Sequence, residues 1–503
     1  MSNSSHPNQD TFSPHKPATP QNIPAKKPIQ TIAIIGAGPS GLTAIKTMLE
    51  EGFTPIAFEQ AGEIGGNWRY DETLPDGGGP AYRSLRTNSS RRMTGFSDFS
   101  FPSHLPEFLH RGDVLQYLHA YAEHFHLTPH IRLNTSVENI TRHGDQWQVS
   151  VRTPSGEGET HMFDAVIVAS GFYRRPFIPS FPGAETFQGQ VLHSAGYKGP
   201  EGLEGKRVIV VGSGSSGVDI AAEVSEVAST VEISSRSGAW FVPYMVNGRP
   251  YDTLYNRLGK LIPPALGNPL FRKTLLGLYK KIGFTEEKLR LLNLPEFDVL
   301  RTRIVPTTVL LEKILREAVH LKPGIAQIEQ AGVRYTDQTY APADVLIYCT
   351  GYSLHFPFFP PTLVSVEGRN ILRLYKRVFH QEYDNLAFLA MNFVAGATFP
   401  LAEIQARWVS QVFAGKLKLP SPAHRAQAIE QYFRHCTAAK LPPMNVQLTD
   451  YLDEIADILN IQPRIHKHLD LLQPLLLGPL VASQYRLDGP GKSAQAKAWI
   501  TGK

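Results

Sequence analysis

The chain has 503 residues, enough to bury a large hydrophobic core and to form about three domains. Its apolar fraction is 42% and its charged fraction is 19%, which is typical of a globular protein and excludes a disordered or fibrous chain. Two cysteines are too few for a disulfide framework or a four-thiolate zinc site, and we predict no metal site. A net charge of +5 is too small to indicate a nucleic-acid partner.

The N-terminal segment, residues 1–28, has the composition of a disordered tail. It contains six prolines among Ser, Thr, Asn and Gln, and almost no large apolar side chain that could offset the entropy of ordering. It lacks the apolar run of a secretory signal and the arginines of a transit peptide. No stretch of the chain reaches the roughly 18 uninterrupted apolar residues of a spanning helix. We therefore predict a soluble, cytoplasmic protein without a transmembrane segment.

A dinucleotide-binding motif follows this tail. An apolar run, residues 31–35, leads directly into Gly36-Ala37-Gly38-Pro39-Ser40-Gly41, which has the pattern G-x-G-x-x-G and precedes a helical pattern. In such a unit the first glycine makes a tight turn, the second admits a pyrophosphate and the third lets the helix pack on the strand. Glu59 ends the next apolar run, where a carboxylate accepts hydrogen bonds from ribose hydroxyls. Together these features predict an FAD site at the helix N-terminus.

The same unit recurs after a second apolar run, residues 207–211. Its second strand ends without an acidic residue, and Ser234, Ser235 and Arg236 stand where the first unit has Glu59. An arginine with hydroxyl neighbours binds a 2′-phosphate that a carboxylate would repel, so this unit is predicted to bind NADPH. Its predicted site residues are Gly212, Gly214, Ser215, Ser216, Gly217, Asp219, Ser235 and Arg236.

Two further segments, residues 163–171 and 343–351, share an aspartate, an apolar strand, a small hydroxyl residue and a glycine. Thr350 and Gly351 at the end of the second are predicted cofactor contacts. Because these segments flank the second unit, we predict an α/β fold in which an NADP-binding Rossmann-like domain is inserted into a discontinuous FAD-binding Rossmann-like domain. The predicted ranges are 29–172 for the first part of the FAD domain, 173–325 for the NADP domain with a helical insertion at about 245–305, and 326–503 for the second part of the FAD domain with C-terminal helices.

With these units in place, the chain resembles the flavin-containing monooxygenases of the N-oxide-forming type. Residues 187–197 match the sequence F-x-G-x-x-x-H-x-x-x-Y that identifies the family. The resemblance covers about residues 31–495 and includes further segments: Gly65–Trp68, Thr87–Ser89, Ser235–Trp240, Thr350–Tyr352, Arg373–His380, Glu403–Trp408 and Gln484–Lys492.

The resemblance implies an enzyme that binds FAD and NADPH and forms a flavin C4a-hydroperoxide with O2. The hydroperoxide would oxygenate the amine nitrogen or sulfide sulfur of a small molecule. Asn88 matches the family asparagine that faces the isoalloxazine ring, so it is the candidate catalytic residue and, with Ser89, a candidate FAD contact. Gly66, Asn67 and Trp68 are expected beside the FAD on the same ground. The protein would position the cofactor and exclude water from it.

Two other activities remain open. One is a Baeyer–Villiger-type oxygenation of ketones by the same fold; such relatives typically carry Trp at the position of Tyr197, so the tyrosine favours nitrogen or sulfur substrates. The other is an NADPH oxidase or reductase that transfers no oxygen. We interpret His193 and Tyr197 as residues that order the linker between the domains.

The segment 245–305 alternates apolar and basic residues at helical spacing. We interpret it as a cover of the substrate channel, and weak contact with an anionic membrane surface is the alternative. A homodimer is also left open by the sequence.

Overall fold

The structure is a computed structural model that describes residues 28–71, 73, 79–295 and 304–502. The predicted disordered tail, except for Pro28, and residues 296–303 of the predicted insertion lie outside the described residues. In chain order the described strands are β1 (Thr31–Ile35), β2 (Thr54–Phe58), β3 (Ile131–Arg132), β4 (Ser136–His143), β5 (Gln146–Arg152), β6 (Gly158–Phe163), β7 (Ala165–Val168), β8 (Arg175–Pro176), β9 (Gln190–His193), β10 (Arg207–Val211), β11 (Thr230–Ser234), β12 (Trp240–Val242), β13 (Met245–Val246), β14 (Arg249–Pro250), β15 (Ile304–Pro306), β16 (His320–Lys322), β17 (Ile325–Glu329), β18 (Gly332–Tyr335), β19 (Tyr340–Pro342), β20 (Val345–Tyr348), β21 (Tyr352–Ser353), β22 (Leu386–Phe388), β23 (Phe393–Ala395) and β24 (Asn445–Gln447).

Helices lie between and after these strands. In chain order the described α-helices are α1 (Pro39–Glu50), α2 (Arg91–Thr94), α3 (Arg111–His124), α4 (Ser215–Val224), α5 (Arg257–Lys260), α6 (Pro264–Ile282), α7 (Val309–Leu315), α8 (Thr398–Phe413), α9 (Pro422–Ala438), α10 (Leu448–Leu459), α11 (Leu472–Leu476) and α12 (Ala496–Thr501).

The first unit is built on a parallel sheet of order β22-β7-β1-β2-β3. Strand β7 is apolar and buried at every position, as expected for a parallel strand covered on both faces. Helix α1 packs against the sheet and against α8, whose apolar residues form one core with it. The chain therefore forms the predicted strand-turn-helix at the first glycine motif, and it returns from residue 386 to complete the same sheet.

The second unit has a parallel sheet of order β16-β11-β10-β20-β9. Its central strand β10 lies between β11 and β20, just as β1 lies between β2 and β7 in the first unit. We expected the chain to return to the FAD domain at residue 326, and this boundary is wrong. Strand β20 pairs with β10 from Val345↔Val208 to Tyr348↔Val211, so the second unit extends at least to Tyr348. The segment 343–351 is thus the third strand of the second unit, and segment 163–171 is the third strand of the first.

The predicted insertion begins after β12 and ends before β15, two strands that pair in parallel. Its described part contains a short hairpin, β13–β14, followed by the helices α5 and α6. Lys260 in α5 forms a 2.5 Å ion pair with Asp453 in α10, which ties the insertion to the C-terminal helices. Across the described residues, no helix combines the length and apolarity needed to cross a bilayer.

A buried cluster of charged side chains, which we call the core ion cluster, holds the C-terminal segment on the first unit. Arg486 donates to Glu403 in α8 at 2.6 Å and to Asp98 at 2.8 Å. Lys46 in α1 also pairs with Asp98, and Arg407 lies beside the cluster and lowers the pKa of Glu403 together with Arg486. Because these groups are almost fully buried, removing one charge would leave its partners uncompensated.

Candidate active site

The first glycine motif forms a turn that leaves no room for side chains. Gly36 has a φ of +103°, and a Cβ atom on it would lie 2.8 Å from the carbonyl oxygen of Ala169. A Cβ atom on Gly41 would lie 2.0 Å from the carbonyl oxygen of Gly36. Helix α1 begins at once after Gly38, its N-cap residue. The first N–H groups of this helix therefore point at the place where a phosphate would bind.

A second glycine segment meets this turn. A Cβ atom on Gly66 would lie 3.1 Å from the Cα atom of Gly38, so the two backbones are in contact. Trp68, at the end of the same 3₁₀ turn, packs edge-to-face on Phe399 of α8 with ring centroids 6.4 Å apart. The structure thus brings the Gly66–Trp68 segment, including Asn67, next to the first motif.

Glu59 is fixed beside the same turn. Its Oε2 accepts a 2.9 Å hydrogen bond from the Ala37 N–H, and its Oε1 accepts one of 2.9 Å from the Ala61 N–H. Each carboxylate oxygen can accept a second hydrogen bond. The contact of Glu59 with a ribose therefore stays a prediction that the geometry allows.

The second glycine motif repeats the first. Gly212 has a φ of +113°, and a Cβ atom on it would lie 2.6 Å from the carbonyl oxygen of Cys349. On Gly217 a Cβ atom would lie 1.9 Å from the carbonyl oxygen of Gly212. Helix α4 begins at Ser215, directly after its N-cap residue Gly214. Cys349 therefore has the place in the second unit that Ala169 has in the first.

Arg236 is exposed just beyond the end of β11. A Cβ atom on Gly324 would lie 2.9 Å from its Cγ, so its stem packs on that glycine. Arg236 has no acidic partner among the described residues. A second arginine, Arg369, lies near it, and burial together with the charge of Arg236 lowers the pKa of Arg369. Ser235 Oγ lies 2.7 Å from Ser213 Oγ at the same edge. Two neighbouring guanidinium groups favour a multiply charged anion, as the predicted 2′-phosphate requires.

Asn88 lies in a segment that touches both units. Its Oδ1 accepts a 3.3 Å hydrogen bond from Tyr244 Oη, and its carbonyl oxygen accepts a 2.8 Å hydrogen bond from Tyr251 Oη. Both tyrosines belong to the first part of the insertion. The Asn88 Nδ2 has no hydrogen-bond partner among the residues that the structure describes. The next residue, Ser89, is engaged within its own segment, with its Oγ 2.8 Å from Thr94 Oγ1.

Asp219, predicted as an NADP contact, joins the two units. It accepts a 2.7 Å hydrogen bond from Tyr82 Oη, and Tyr82 precedes Asn88 in the same segment. Burial raises the pKa of Asp219 to about 6, although the hydrogen bond from Tyr82 acts in the opposite direction. The predicted cofactor contact is thus also a contact between the units.

His193, which we expected in a linker between the domains, is instead the last residue of β9, the edge strand of the second sheet, and hydrogen bonds hold it at the end of that unit. Gly351 has a φ of +79°, and its carbonyl oxygen accepts a 3.0 Å hydrogen bond from His193 Nε2. Thr350 donates its hydroxyl proton to the carbonyl oxygen of Phe177. Burial lowers the pKa of His193, so the ring is neutral at pH 7. These contacts agree with an ordering role for His193.

Sequence reasoning missed two buried polar residues at the carboxyl edge of the first sheet. Asn392 follows β22, and neither of its amide atoms has a hydrogen-bond partner in the described part of the chain. Ser170 follows β7, and its buried Oγ is likewise without a partner there. Unpartnered buried polar atoms are costly unless a ligand satisfies them. Together with the contact of Gly38 and Gly66, they fit a dinucleotide whose ring system lies along this edge. The hydroxyl–glycine pattern at residues 170–171 was a signal for Ser170, whereas no local pattern marks Asn392.

Two parallel sheets with matching glycine turns, joined by a polar segment, are typical of oxidoreductases that bind two dinucleotides. The family model described as "Flavin-binding monooxygenase-like" matches residues 29–503. The chain belongs to this flavin-binding monooxygenase family, and it is an enzyme with FAD and NADP(H) as cofactors.

Known proteins of similar sequence and fold agree with this assignment. The dimethylaniline monooxygenase [N-oxide-forming] 2 of Cavia porcellus is 34% identical over 493 residues, covering 93% of this chain and 90% of the relative. Flavin-containing monooxygenase 5 of Homo sapiens is 36% identical over 484 residues, covering 92% and 89%. The structure of S-allyl-L-cysteine S-oxygenase from Allium sativum superposes with a TM-score of 0.65 at 26% identity, covering 85% of this chain and 88% of the other. An open structure of cyclohexanone monooxygenase, at 19% identity, shares the fold with a TM-score of 0.62, covering 85% and 98%.

Proposed function

We propose that this monooxygenase transfers one oxygen atom of O2 to the amine nitrogen or sulfide sulfur of a small organic molecule, with NADPH as electron donor. The Cavia porcellus relative is named as N-oxide-forming, and the Allium sativum structure is that of an S-oxygenase, which supports both substrate classes. Bound FAD would supply the oxygen activation. The side chains would bind and orient the two cofactors and keep water away.

The two glycine motifs and the polar segment between the units hold the cofactors in this proposal. FAD is bound by Gly36, Ala37, Gly38, Pro39, Ser40, Gly41, Glu59, Gly66, Asn67, Trp68, Asn88 and Ser89. NADPH is bound by Gly212, Gly214, Ser215, Ser216, Gly217, Asp219, Ser235, Arg236, Thr350 and Gly351.

The position of Asn88 carries the proposal. The residues around it bridge the units, since Tyr82 bonds to Asp219 and Tyr251 bonds to the Asn88 main chain. Its amide Nδ2 is a hydrogen-bond donor without a partner among the described residues. A neutral donor of this kind stabilises negative charge that develops on an activated oxygen while leaving the substrate nitrogen or sulfur free to react.

Product analysis tests the proposal. The purified FAD-loaded enzyme is given NADPH, O2 and either a tertiary amine or a thioether, and product and hydrogen peroxide are measured per NADPH consumed. We expect N-oxide or sulfoxide in near-stoichiometric yield with little peroxide. Stoichiometric peroxide without product would instead indicate an oxidase.

Ketones and two variants complete the test. An ester formed from a ketone, with amines and sulfides unreacted, would identify the Baeyer–Villiger alternative. Tyr197 supports the nitrogen and sulfur classes, because ketone-oxygenating relatives typically carry Trp at this position. Its hydroxyl donates to Glu223 of α4 at 2.7 Å. Asn88→Ala is expected to lose product and gain peroxide, while Asn445→Ala, at an exposed position of β24, serves as the matched control.

A weak contact of the insertion with an anionic membrane surface is a second part of the proposal. Leu261, Leu266 and Leu270 are exposed on the insertion, and Arg272 and Lys273 follow them. Exposed leucines beside basic residues favour binding to anionic lipid. Co-sedimentation with phosphatidylserine vesicles that salt does not weaken, or equal binding to phosphatidylcholine vesicles, would contradict it.

A cytoplasmic location and a homodimer stay predictions, to be checked by cell fractionation and by light scattering after gel filtration.

A further inference from the structure

Tyr244, which no motif marks, is held firmly next to Asn88. Its ring packs against Phe108 with centroids 4.5 Å apart, and its main-chain N–H donates to Thr308 Oγ1 at 3.2 Å. Burial raises the pKa of its hydroxyl above the usual range, so the hydroxyl keeps its proton and can donate it in a hydrogen bond. Its acceptor is Asn88 Oδ1 at 3.3 Å.

A primary amide can turn either its oxygen or its nitrogen towards a neighbour. When Tyr244 donates to the oxygen, the amide is held in one of its two orientations and the nitrogen faces away from the tyrosine. We propose that Tyr244 is a positioning residue that holds the Asn88 amide with its N–H groups towards the flavin. This inference rests on the proposed function, because it concerns the proposed role of Asn88.

The main chain around Asn88 is held by other groups. Tyr251 Oη donates to the Asn88 carbonyl oxygen at 2.8 Å, and Asp252 accepts a 2.7 Å hydrogen bond from the Ser90 N–H. Removing the Tyr244 hydroxyl therefore releases the side-chain amide and leaves these main-chain contacts in place. Tyr244→Phe and Tyr251→Phe each remove one tyrosine hydroxyl that donates to Asn88. Only Tyr244→Phe removes a hydrogen bond to the side-chain amide, whereas Tyr251→Phe removes one to the main-chain carbonyl.

The experiment compares Tyr244→Phe, Tyr251→Phe and Asn88→Ala as FAD-loaded enzymes, with Tyr340→Phe at an exposed edge strand as a neutral control. The readouts are peroxide released per NADPH, the visible absorption spectrum of the oxidised bound flavin, and the urea midpoint. For Tyr244→Phe we expect about 3- to 10-fold more peroxide and a flavin spectrum shifted in the same direction as in Asn88→Ala. For Tyr251→Phe we expect a lower urea midpoint and an unshifted flavin spectrum.

A double mutant separates positioning from general destabilisation. Tyr244→Phe added to Asn88→Ala should change neither the spectrum nor the peroxide ratio further, since the amide it positions is gone. Equal spectra and peroxide ratios for Tyr244→Phe and Tyr251→Phe, or an undiminished effect in the Asn88→Ala background, would overturn the proposal. Wild-type enzyme that makes only peroxide would instead refute the proposed function, and the two failures are thus distinguishable.

Discussion

Tyr82 Oη donates a 2.7 Å hydrogen bond to Asp219 across the boundary between the two dinucleotide-binding units. Tyr82 belongs to the segment that carries Asn88, and Asp219 belongs to the helix that starts at the second glycine motif. The carboxylate at this contact is half-buried, and burial raises its pKa from its ordinary value to about 6. The contact between the units therefore depends on pH.

Replacing Asp219 should change the pH dependence of stability. A carboxyl group with a raised pKa in the folded state binds its proton more tightly there than in the unfolded chain, so the free energy of unfolding falls as the pH rises from about 4 to about 6. Asp219→Asn should remove this decrease and be more stable than wild type at pH 7 by on the order of 1 kcal/mol. The urea midpoints of wild type and Asp219→Asn, measured between pH 4 and pH 8, test this difference. Parallel wild-type and variant curves would show that Asp219 does not titrate in this range.

Alanine at Gly217 should disrupt the second unit alone. Its Cβ atom would lie 1.9 Å from the Gly212 carbonyl oxygen, so α4 must move away from β10. We expect about 1–3 kcal/mol lower stability and at least about tenfold weaker NADP⁺ binding, with FAD retained. Gly277→Ala is the matched control, because nothing lies within 4 Å of the added atom in α6 and alanine favours a helix. Titration of NADP⁺ by flavin fluorescence measures both variants, and unchanged affinity in Gly217→Ala would contradict the site.

Arg236 should select NADPH over NADH. Arg236→Ala removes a guanidinium from a site that holds no acidic partner among the described residues, so KM for NADPH should rise about 10-fold or more while KM for NADH changes little. Arg369→Ala is expected to act in the same direction with a smaller effect, because it lies near Arg236. Arg434→Ala, at a side chain 78% exposed, is the control. Equal changes for both nucleotides would remove Arg236 from the site.

Breaking the core ion cluster should be costly. Glu403→Gln leaves Arg486 and Arg407 buried without full compensation, and we expect a loss of about 3–5 kcal/mol in the free energy of unfolding. Glu430→Gln, which loses exposed ion pairs with Arg434 and Arg373, should cost much less, because water and salt screen them. Chemical denaturation compares the two. A similar small loss for both would show that the cluster contributes little to stability.

The glycine motifs could be predicted from the sequence because their geometry is local. Gly36 to Gly41 and Gly212 to Gly217 each need only a strand, a turn and a helix in a row, and the structure has them at both places. We assigned β20 to the wrong sheet, because an apolar strand fits either parallel sheet. Its actual neighbour, β10, lies far away in the sequence, so no local pattern identifies it. Tyr244 and Asn88 are 156 residues apart, so no local pattern could join them.

The insertion is attached to the first unit at two separate places. Its hairpin end holds the Asn88 segment through Tyr251, and its helix α5 holds α10 through Lys260 and Asp453. The insertion itself grows out of the second unit between β12 and β15. A rotation of the NADP-binding unit away from the FAD-binding unit must therefore either break both attachments or pull the Asn88 segment with it. A separation of the two units and the position of the asparagine are in this way mechanically linked.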